Sequence, residues 1–274
     1  MDATLEAWGT RADAWWRHPL PAAIRYSLLS TGKRLRPTLV FASAEAGGGA
    51  GAGVAELAAA VEVVHAYSLV HDDLPCMDND DLRRGRPTTH RAFDVGTATL
   101  AGYQMVALGA RVLDAGMAAL ALELFRAAGA GGMIGGQALD LEAEGRRLPA
   151  ASLEDVHRRK TGALIAAACV IGGLAAGAPR GACEALRGYG ADVGLAFQIY
   201  DDVLDATATS DQLGKTAGKD AAFAKSTFVT LLGVGAARAE AERLAARAVD
   251  RLRQAGLASP TLAELAHYIV TRPN

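Results

Sequence analysis

The chain has few of the residues that mark several common classes of protein. Of its 274 residues, 5% are aromatic, 3 are cysteine and 9 are proline. Because strands favour aromatic and β-branched side chains, the scarcity of aromatics argues against a β-rich fold. The three cysteines, Cys76, Cys169 and Cys183, form no CxxC pair and do not suggest a disulfide framework. We expect reduced thiols in a cytoplasmic protein.

The chain also lacks a strong net charge and a convincing membrane segment. The formal net charge is −2, which gives no electrostatic reason to expect a nucleic-acid partner. The opening residues MDATLEAWGTRADAWW include acidic side chains and no apolar core, so they do not resemble a secretory signal. The uncharged run 162–178 is at the lower length limit for a membrane span and consists mostly of small residues. It predicts a buried helix that packs closely on its neighbours, not a span.

Strong helix formers are abundant, and helical periodicity covers nearly the whole chain. No stretch alternates convincingly with period two. Two connections, 76–90 and 207–225, are charged, and long charged loops are often functional. With no internal repeat or step in composition, the sequence predicts an all-α fold and one domain over residues 1–274. The expected helices are 3–17, 21–30, 35–46, 54–73, 96–113, 117–128, 130–143, 152–176, 181–206, 226–255 and 260–271.

The first acidic cluster ends the predicted helix 54–73. Asp72 and Asp73 are its last residues, and Asp78 follows after Pro75. Carboxylates at the C-terminal end of a helix oppose the helix dipole, which favours cations there. His65 lies two turns before Asp72 on the same face. The arrangement therefore predicts that a positive group binds at this end of the helix.

The second acidic cluster lies in the segment LAFQIYDDVLD. Asp201 and Asp205 share one helix face and repel each other, and Gln198 is one turn earlier. Carboxylate oxygens of this kind suit Mg²⁺ or Mn²⁺. A single short acidic motif is often only a solvated patch. Two such motifs, both flanked by apolar helix, indicate metal binding.

Basic residues form the other half of the pattern. The motif GKRLRP places Lys33 and Arg36 three residues apart, so both can converge on one anion, although a basic run alone is commonly a solvated surface. Lys160 and Thr161 open the apolar helix at KTGAL, where backbone N–H groups favour an anion. The pattern predicts one anion site walled by carboxylates and bridging metal ions, and one that is purely basic. Further basic residues follow each acidic cluster: Arg83, Arg84, Lys215, Lys219 and Lys225.

Several segments, taken in order, resemble the trans-type isoprenyl diphosphate synthases. They are GKRLRP, HAYSLVHDDLPCMDNDDLRRGRPTTH, GGQALDLEAEG, HRRKTGALIAAA, FQIYDDVLD and GKTAGKDAAFAKSTF. The resemblance runs from about residue 24 to residue 271. It implies an all-α bundle around a deep central cavity, assembled as a homodimer. It also implies small diphosphate esters as substrates.

The resemblance assigns a role to each candidate residue. The two aspartate-rich motifs would hold about three Mg²⁺ ions on an allylic diphosphate, which then ionises and is attacked by the double bond of isopentenyl diphosphate. The residues implied as metal ligands are Asp72, Asp73, Asp78, Asp201, Asp202 and Asp205. Those implied for isopentenyl diphosphate are Lys33, Arg36, His65 and Arg84. Those implied for the allylic diphosphate are Arg83, Lys160, Thr161, Gln198, Lys215 and Lys225.

The length of the product is expected to depend on the helix before the first motif. In the family this helix forms the cavity wall, and Tyr67 and Ser68 stand five and four residues before Asp72. One aromatic residue there, with four residues between Asp73 and Asp78, resembles bacterial farnesyl diphosphate synthases. A geranylgeranyl diphosphate synthase is the alternative. The sequence departs from the bacterial pattern at Tyr103, where aspartate is usual, and this residue could alter the cavity or the subunit contact.

Proteins of three other kinds share parts of the pattern. A carboxylate-bridged di-iron bundle uses Glu-x-x-His motifs, which recur here at Glu62, Glu154 and Glu264, but it explains neither the aspartate clusters nor the basic motifs. A non-catalytic homologue would typically lose one aspartate motif, and both are present. A terpene cyclase or head-to-head condensing enzyme has no need of GKRLRP and a second diphosphate site.

Overall fold

A computed structural model describes residues 1–13, 19–49, 51, 53–111, 117–207 and 226–273. The chain divides into two compact units. The first consists of Met1–Thr38 and Ala52–Ala121, and the second of Leu39–Gly51 and Leu122–Asn274. The expectation of one domain over the whole chain stays a prediction.

In its described residues, the first unit consists of helices and one short antiparallel hairpin, in which Leu82 pairs with Pro87 and Arg83 with Arg86. Helix α3, Leu35–Ala46, begins in this unit and ends in the second. The remaining elements are α1 (Asp2–Asp13), α2 (Leu20–Leu28), α4 (Val54–Asp72), β1 (Leu82–Arg83), β2 (Arg86–Pro87), α5 (Thr89–Ala92) and α6 (Val95–Arg111).

Helix α4 packs against α6 and forms the core of the first unit. Most of its apolar side chains are buried, and this burial is the main source of its stability. Gly102 on α6 permits close approach, because a Cβ at this position would overlap the His71 imidazole. From α1, the buried Trp8 donates its indole N–H to Glu56 at 2.7 Å. These contacts fix the helix that ends in the first aspartate-rich motif.

The second unit is built around its longest helix, α11. Helix α7 lies across the boundary of the two units, and α9 continues through one π-helical turn, Arg158–Gly162, into α10. The elements are α7 (Ala118–Ala128), α8 (Met133–Glu142), α9 (Ala150–His157), α10 (Ala163–Ala175), α11 (Arg180–Thr207), α12 (Phe228–Leu232), α13 (Val234–Gln254) and α14 (Pro260–Thr271).

Polar contacts tie α11 to the helices that follow it. The Tyr189 hydroxyl donates to the Leu262 carbonyl at 2.7 Å. Asp192 is only 3% exposed and accepts hydrogen bonds from Arg247 and Arg251 of α13, at distances between 2.6 and 2.9 Å. A buried carboxylate needs such partners, since removing them would leave an uncompensated charge. These contacts hold the helix that carries the second aspartate-rich motif.

The all-α prediction is confirmed, and three local predictions are wrong. The charged segment 76–90 contains the hairpin and the start of α5. The predicted helix 226–255 is interrupted at Gly233, whose φ of +81° favours glycine over other residues. The predicted helix 152–176 contains the π-helical turn. The end of the predicted helix 3–17 and nearly all of segment 207–225 lie outside the described residues.

Two predictions about apolar and thiol residues are confirmed. Residues 164–173 of α10 are buried, as expected for run 162–178, and all three cysteines are free. By length and composition alone, two other segments could cross a membrane, Val54–Asp72 and Ala118–Glu142. The core helix of a water-soluble protein passes the same test, and 67% of the first window is buried.

Candidate active site

The first aspartate-rich motif is a helix end followed by a tightly folded loop. Asp72 is the last residue of α4, and the loop turns back so that the Asp78 amide donates to the Asp72 carbonyl at 2.8 Å. The Asp80 amide donates to the Asp73 carbonyl at 3.2 Å. The four residues between Asp73 and Asp78 therefore form a compact turn, which returns Asp78 to the end of the helix.

Arg83 on the hairpin binds the second aspartate of this motif. Its Nε donates to both carboxylate oxygens of Asp73, at 2.8 and 2.9 Å, and its Nη2 lies 2.6 Å from Oδ1. Asp73 is only 2% exposed, and burial raises its carboxyl pKa although Arg83 opposes that rise. The hairpin thus places a guanidinium directly on the acidic motif.

A basic pocket lies beside this motif in the first unit. Arg84 has a φ of +54° and donates to the Thr31 carbonyl at 2.5 Å. Gly32 permits this approach, since a Cβ there would overlap the Arg84 guanidinium. Residues that line the pocket include Ser27, Arg34, Glu62, His65, Arg83 and Arg84.

His65 is an uncharged group in this pocket. Burial, together with the guanidinium groups of Arg36, Arg84, Arg83 and Arg34, lowers the pKa of His65 well below its usual range. Its Nδ1 is buried and has no hydrogen-bond partner among the described residues. A neutral imidazole whose Nδ1 lacks a hydrogen-bond partner among the described residues is suited to bind a substrate oxygen.

The GKRLRP motif contains a structural residue as well as the predicted ligands. Arg34 donates to the buried Glu62 at 2.8 Å and to the carbonyls of Leu28 and Ser30 at 2.9 and 3.0 Å. Lys33 is exposed two residues before α3 begins, and Arg36 lies in the first turn of that helix. Glu62 therefore stabilises the loop through Arg34, which accounts for this glutamate without a metal.

Tyr67, the residue predicted to limit chain length, lies in a row of rings that meet edge to face. Tyr67 is 6% exposed, and its ring meets His71 edge to face with 5.8 Å between centroids. His71 in turn meets Tyr103 of α6 at 5.2 Å, and its Nε2 lies 3.1 Å from the Thr99 carbonyl. Burial and the nearby Asp72 carboxylate raise the pKa of Tyr67 to about 12. Ser68 is bonded to its own helix through the His65 carbonyl, at 2.9 Å.

The second aspartate-rich motif lies near the C-terminal end of α11, in the second unit. Asp201 is bound by the guanidinium of Arg272, which lies 4.3 Å from the Phe197 ring centroid and is almost fully buried. Asp202 accepts the Phe228 amide at 2.8 Å. Asp205 is exposed one turn further along the helix. Arginine thus contacts a carboxylate in each of the two motifs.

The π-helical turn carries Lys160 and Thr161, which contact α8 and α11 of the second unit. Lys160 Nζ donates to Asp140 of α8 at 2.6 Å, and Thr161 donates to the Gln198 side chain at 3.0 Å. π-Helical turns are rare and often occur at functional sites. Gly136 permits the approach of α8, because a Cβ there would overlap the Lys160 backbone nitrogen.

Three residues at these sites, Arg34, Asp140 and Arg272, were not predicted from the sequence, and His157 was considered only as the histidine of the Glu154 motif in a di-iron bundle. Asp140 lies within GGQALDLEAEG and His157 within HRRKTGALIAAA. The resemblance of these two segments to the family is the signal by which the sequence could have identified both residues. Arg272 is distant in sequence from Asp201, and no local pattern points to it. Of the selected residues, Lys215, Lys219 and Lys225 lie outside the described residues.

The acidic residues fit Mg²⁺ as a partial donor set. Across the described ranges, no three His, Cys, Asp or Glu side chains are close enough together to hold a metal ion by themselves. Mg²⁺ in phosphate-handling sites usually takes one or two carboxylates and completes its octahedron with water and phosphate oxygens. A diphosphate would therefore supply ligands that the protein does not.

Comparison with known proteins agrees with this geometry. The family model described as polyprenyl synthetase matches residues 17–257. The chain belongs to the polyprenyl synthetase family. It is a trans-prenyltransferase, which confirms the resemblance seen in the sequence and excludes the di-iron class.

Individual members of the polyprenyl synthetase family are similar over nearly the whole chain. Farnesyl diphosphate synthase of Escherichia coli (strain K12) is 45% identical over 267 residues, 93% of this chain and 89% of that protein. Geranylgeranyl pyrophosphate synthase 9 of Arabidopsis thaliana is 42% identical over 266 residues, 92% of this chain and 74% of that protein.

A solved member of the polyprenyl synthetase family contains bound ligands. The geranyltransferase from Helicobacter pylori, complexed with magnesium and isoprenyl diphosphate, has a TM-score of 0.82 and 32% identity. The match covers 98% of this chain and 94% of that chain.

Proposed function

We propose that the chain condenses isopentenyl diphosphate head to tail with dimethylallyl or geranyl diphosphate, giving farnesyl diphosphate and releasing diphosphate. The observation that carries this proposal is that cationic side chains accompany both aspartate-rich motifs. Arg83 binds Asp73 of the first motif and Arg272 binds Asp201 of the second, and Lys160 lies on the π-helical turn, where it binds Asp140. Two anionic esters that must be treated differently require such a combination of acidic and basic groups.

The metal ions belong to the allylic diphosphate in this proposal. About three Mg²⁺ ions, for which Mn²⁺ could substitute, would stabilise the charge that develops on the departing diphosphate. Their ligands on the protein are the two aspartate-rich motifs, with the Asp73 carboxylate oriented by Arg83. The full proposed set is Asp72, Asp73, Asp78, Asp201, Asp202 and Asp205.

Basic and polar groups of this chain then orient the two esters. The isopentenyl diphosphate site is formed by Lys33, Arg36, His65 and Arg84. The allylic diphosphate site is formed by Arg83, Lys160, Thr161, Gln198, Lys215 and Lys225. The allylic C–O bond breaks, and its electron pair goes to diphosphate. The double bond of isopentenyl diphosphate then attacks the allylic cation and forms the new C–C bond. The condensed cation loses a proton, which the released diphosphate accepts.

The farnesyl product is proposed from the side chain before the first motif. Tyr67 is a buried aromatic residue with its ring against His71, and a bulky group at the cavity wall limits the growth of the chain. Ser68, its neighbour, is too small to do so alone. The second candidate is a geranylgeranyl product, because relatives of both kinds are more than 40% identical to this chain.

We further propose a homodimer located in the cytoplasm. Large apolar side chains are exposed on α6 in the first unit, where Leu100 is 57% and Tyr103 is 64% exposed. In the second unit, Leu122 and Ile134 are also about half exposed. Large apolar side chains that are exposed in the single chain commonly mark a subunit contact.

The choice of primer tests the proposed reaction. The purified chain is incubated with Mg²⁺, isopentenyl diphosphate and, in separate reactions, the C5, C10 and C15 allylic diphosphates, with EDTA as the control. We expect elongation of the C5 and C10 primers, little elongation of the C15 primer, and none with EDTA. A lack of product from all three primers would contradict the proposal, and rapid elongation of the C15 primer would favour the geranylgeranyl alternative.

A further inference from the structure

His157 lies where three parts of the second unit's site meet. It is the last residue of α9, immediately before the π-helical turn that carries Lys160 and Thr161. Its imidazole stacks on the Phe228 ring, with 5.7 Å between centroids and 29° between planes. Phe228 begins α12 and is 5% exposed. One ring therefore connects the turn and α12.

The outer nitrogen of this imidazole faces the second aspartate-rich motif. His157 Nε2 lies 3.9 Å from Asp202 Oδ2, just beyond hydrogen-bond distance, and the same oxygen accepts the Phe228 amide at 2.8 Å. Nε2 is buried and has no hydrogen-bond partner among the described residues. Buried polar atoms are rarely left unsatisfied, so this one indicates a function beyond packing.

A carboxylate oxygen at this distance favours an N–H on Nε2, because an N–H can donate to the carboxylate and a bare ring nitrogen cannot. A small movement of Asp202 or of the turn would complete a hydrogen bond.

We propose that His157 is a positioning residue for prenyl transfer. Its ring packs on Phe228, and its Nε2–H orients the Asp202 carboxylate. The two contacts keep the second aspartate-rich motif in a fixed position relative to Lys160 and Thr161. The inference rests on the proposed function, since prenyl transfer is the reaction whose groups are positioned. A purely structural ring at this place would need no nitrogen, and phenylalanine would serve equally well.

Two substitutions separate the nitrogen from the ring. H157F keeps the aromatic stack and removes the N–H, whereas H157Q removes the ring and keeps an N–H donor. The readouts are kcat, the KM for geranyl diphosphate, the KM for isopentenyl diphosphate, the Mg²⁺ concentration at half-maximal rate, and Tm. H267Q, at an exposed histidine of α14, is the matched control.

We expect H157F to lower kcat about 10- to 100-fold and to raise the Mg²⁺ requirement, while the KM for isopentenyl diphosphate stays near the wild-type value. H157Q should recover part of that loss despite a lower Tm. Wild-type kinetics in H157F, or an H157Q variant that folds and is no more active than H157F, would overturn the inference. An inactive wild-type chain would instead overturn the proposed function on which it rests.

Discussion

The carboxylates of the two aspartate-rich motifs differ in what each of them contacts. Asp73 is bound by Arg83, Asp201 by Arg272, and Asp202 by the Phe228 amide. The sequence indicated that these carboxylates need positive partners. A carboxylate at the C-terminal end of a helix opposes the helix dipole, and two carboxylates four residues apart on a helix repel each other. The sequence could not identify Arg272, because the partner of a carboxylate depends on tertiary packing and not on local spacing.

Removing a carboxylate from either motif should lower turnover far more than stability, although Asp201→Ala also leaves the buried Arg272 guanidinium without its carboxylate and should reduce Tm. We expect Asp72→Ala and Asp201→Ala each to lower kcat by about 10²–10³-fold, because the charge on the departing diphosphate loses its stabilisation. Initial rates and Tm are measured for both variants, with Asp250→Asn at an exposed position of α13 as the control. Near-normal rates in either alanine variant would show that the motif does not bind the catalytic metal.

His157 should make the fold sensitive to acid. Its pKa is about 4 in the folded chain and about 6.5 when unfolded, so between these values the unfolded state binds the extra proton. This residue alone should lower the free energy of unfolding by about 2 kcal/mol between about pH 7 and pH 4.5. Urea unfolding in EDTA at both pH values measures the effect. If H157F shows the same pH dependence as the wild-type chain, the assignment to this residue is wrong.

Helix α8 positions Lys160 and Thr161 by lying against the π-helical turn without a side chain between them. The sequence GGQALDLE predicted a helix here but not the reason for its glycines. Periodicity detects which face of a helix is apolar, whereas a close approach between two backbones is a property of the packed pair. Because periodicity does not detect such contacts, the sequence also predicted an unbroken helix over 152–176 and no π-helical turn within it.

Gly136 tests this contact. Gly136→Ala places a methyl group against the Lys160 backbone nitrogen, so the turn must shift. We expect a loss of about 1–3 kcal/mol of stability and a 10- to 100-fold lower kcat/KM for geranyl diphosphate, since misplacement by about 1 Å costs that much. Gly131→Ala, where a Cβ has nothing within 4 Å, is the control for both Tm and kinetics. Equal behaviour of the two variants would contradict the positioning role.

Helix α4 carries the proposed limit on product length. Tyr67→Ala removes the buried ring next to His71, so we expect the main product to shift from C15 to C20 or longer. Tyr268→Ala, at a tyrosine that is 49% exposed on α14, should leave the product unchanged. Chromatography of the dephosphorylated products compares the two variants. An unchanged C15 product from Tyr67→Ala would show that another residue forms the wall.

At the scale of the whole molecule, the sequence predicted the fold class and the family correctly. Combinations of motifs such as HDDLPCMD and YDDVLD are specific because the reaction requires many groups at once, and helical periodicity is strong in an alanine- and leucine-rich chain. The proposed control of product length depends on the size of one side chain, Tyr67, which contacts His71. Relatives named for either product are more than 40% identical to this chain, so overall similarity alone does not determine product length.

Product chromatography of the wild-type chain directly tests the proposed prenyl transfer and its C15 product. The enzyme is incubated with Mg²⁺, dimethylallyl diphosphate and an excess of isopentenyl diphosphate, and the products are separated by chain length over time. Two successive condensations should give a transient C10 species and then an accumulating C15 product that is not elongated further. Accumulation of C20 would contradict the farnesyl assignment, and the absence of any Mg²⁺-dependent elongated product would contradict the proposed reaction itself.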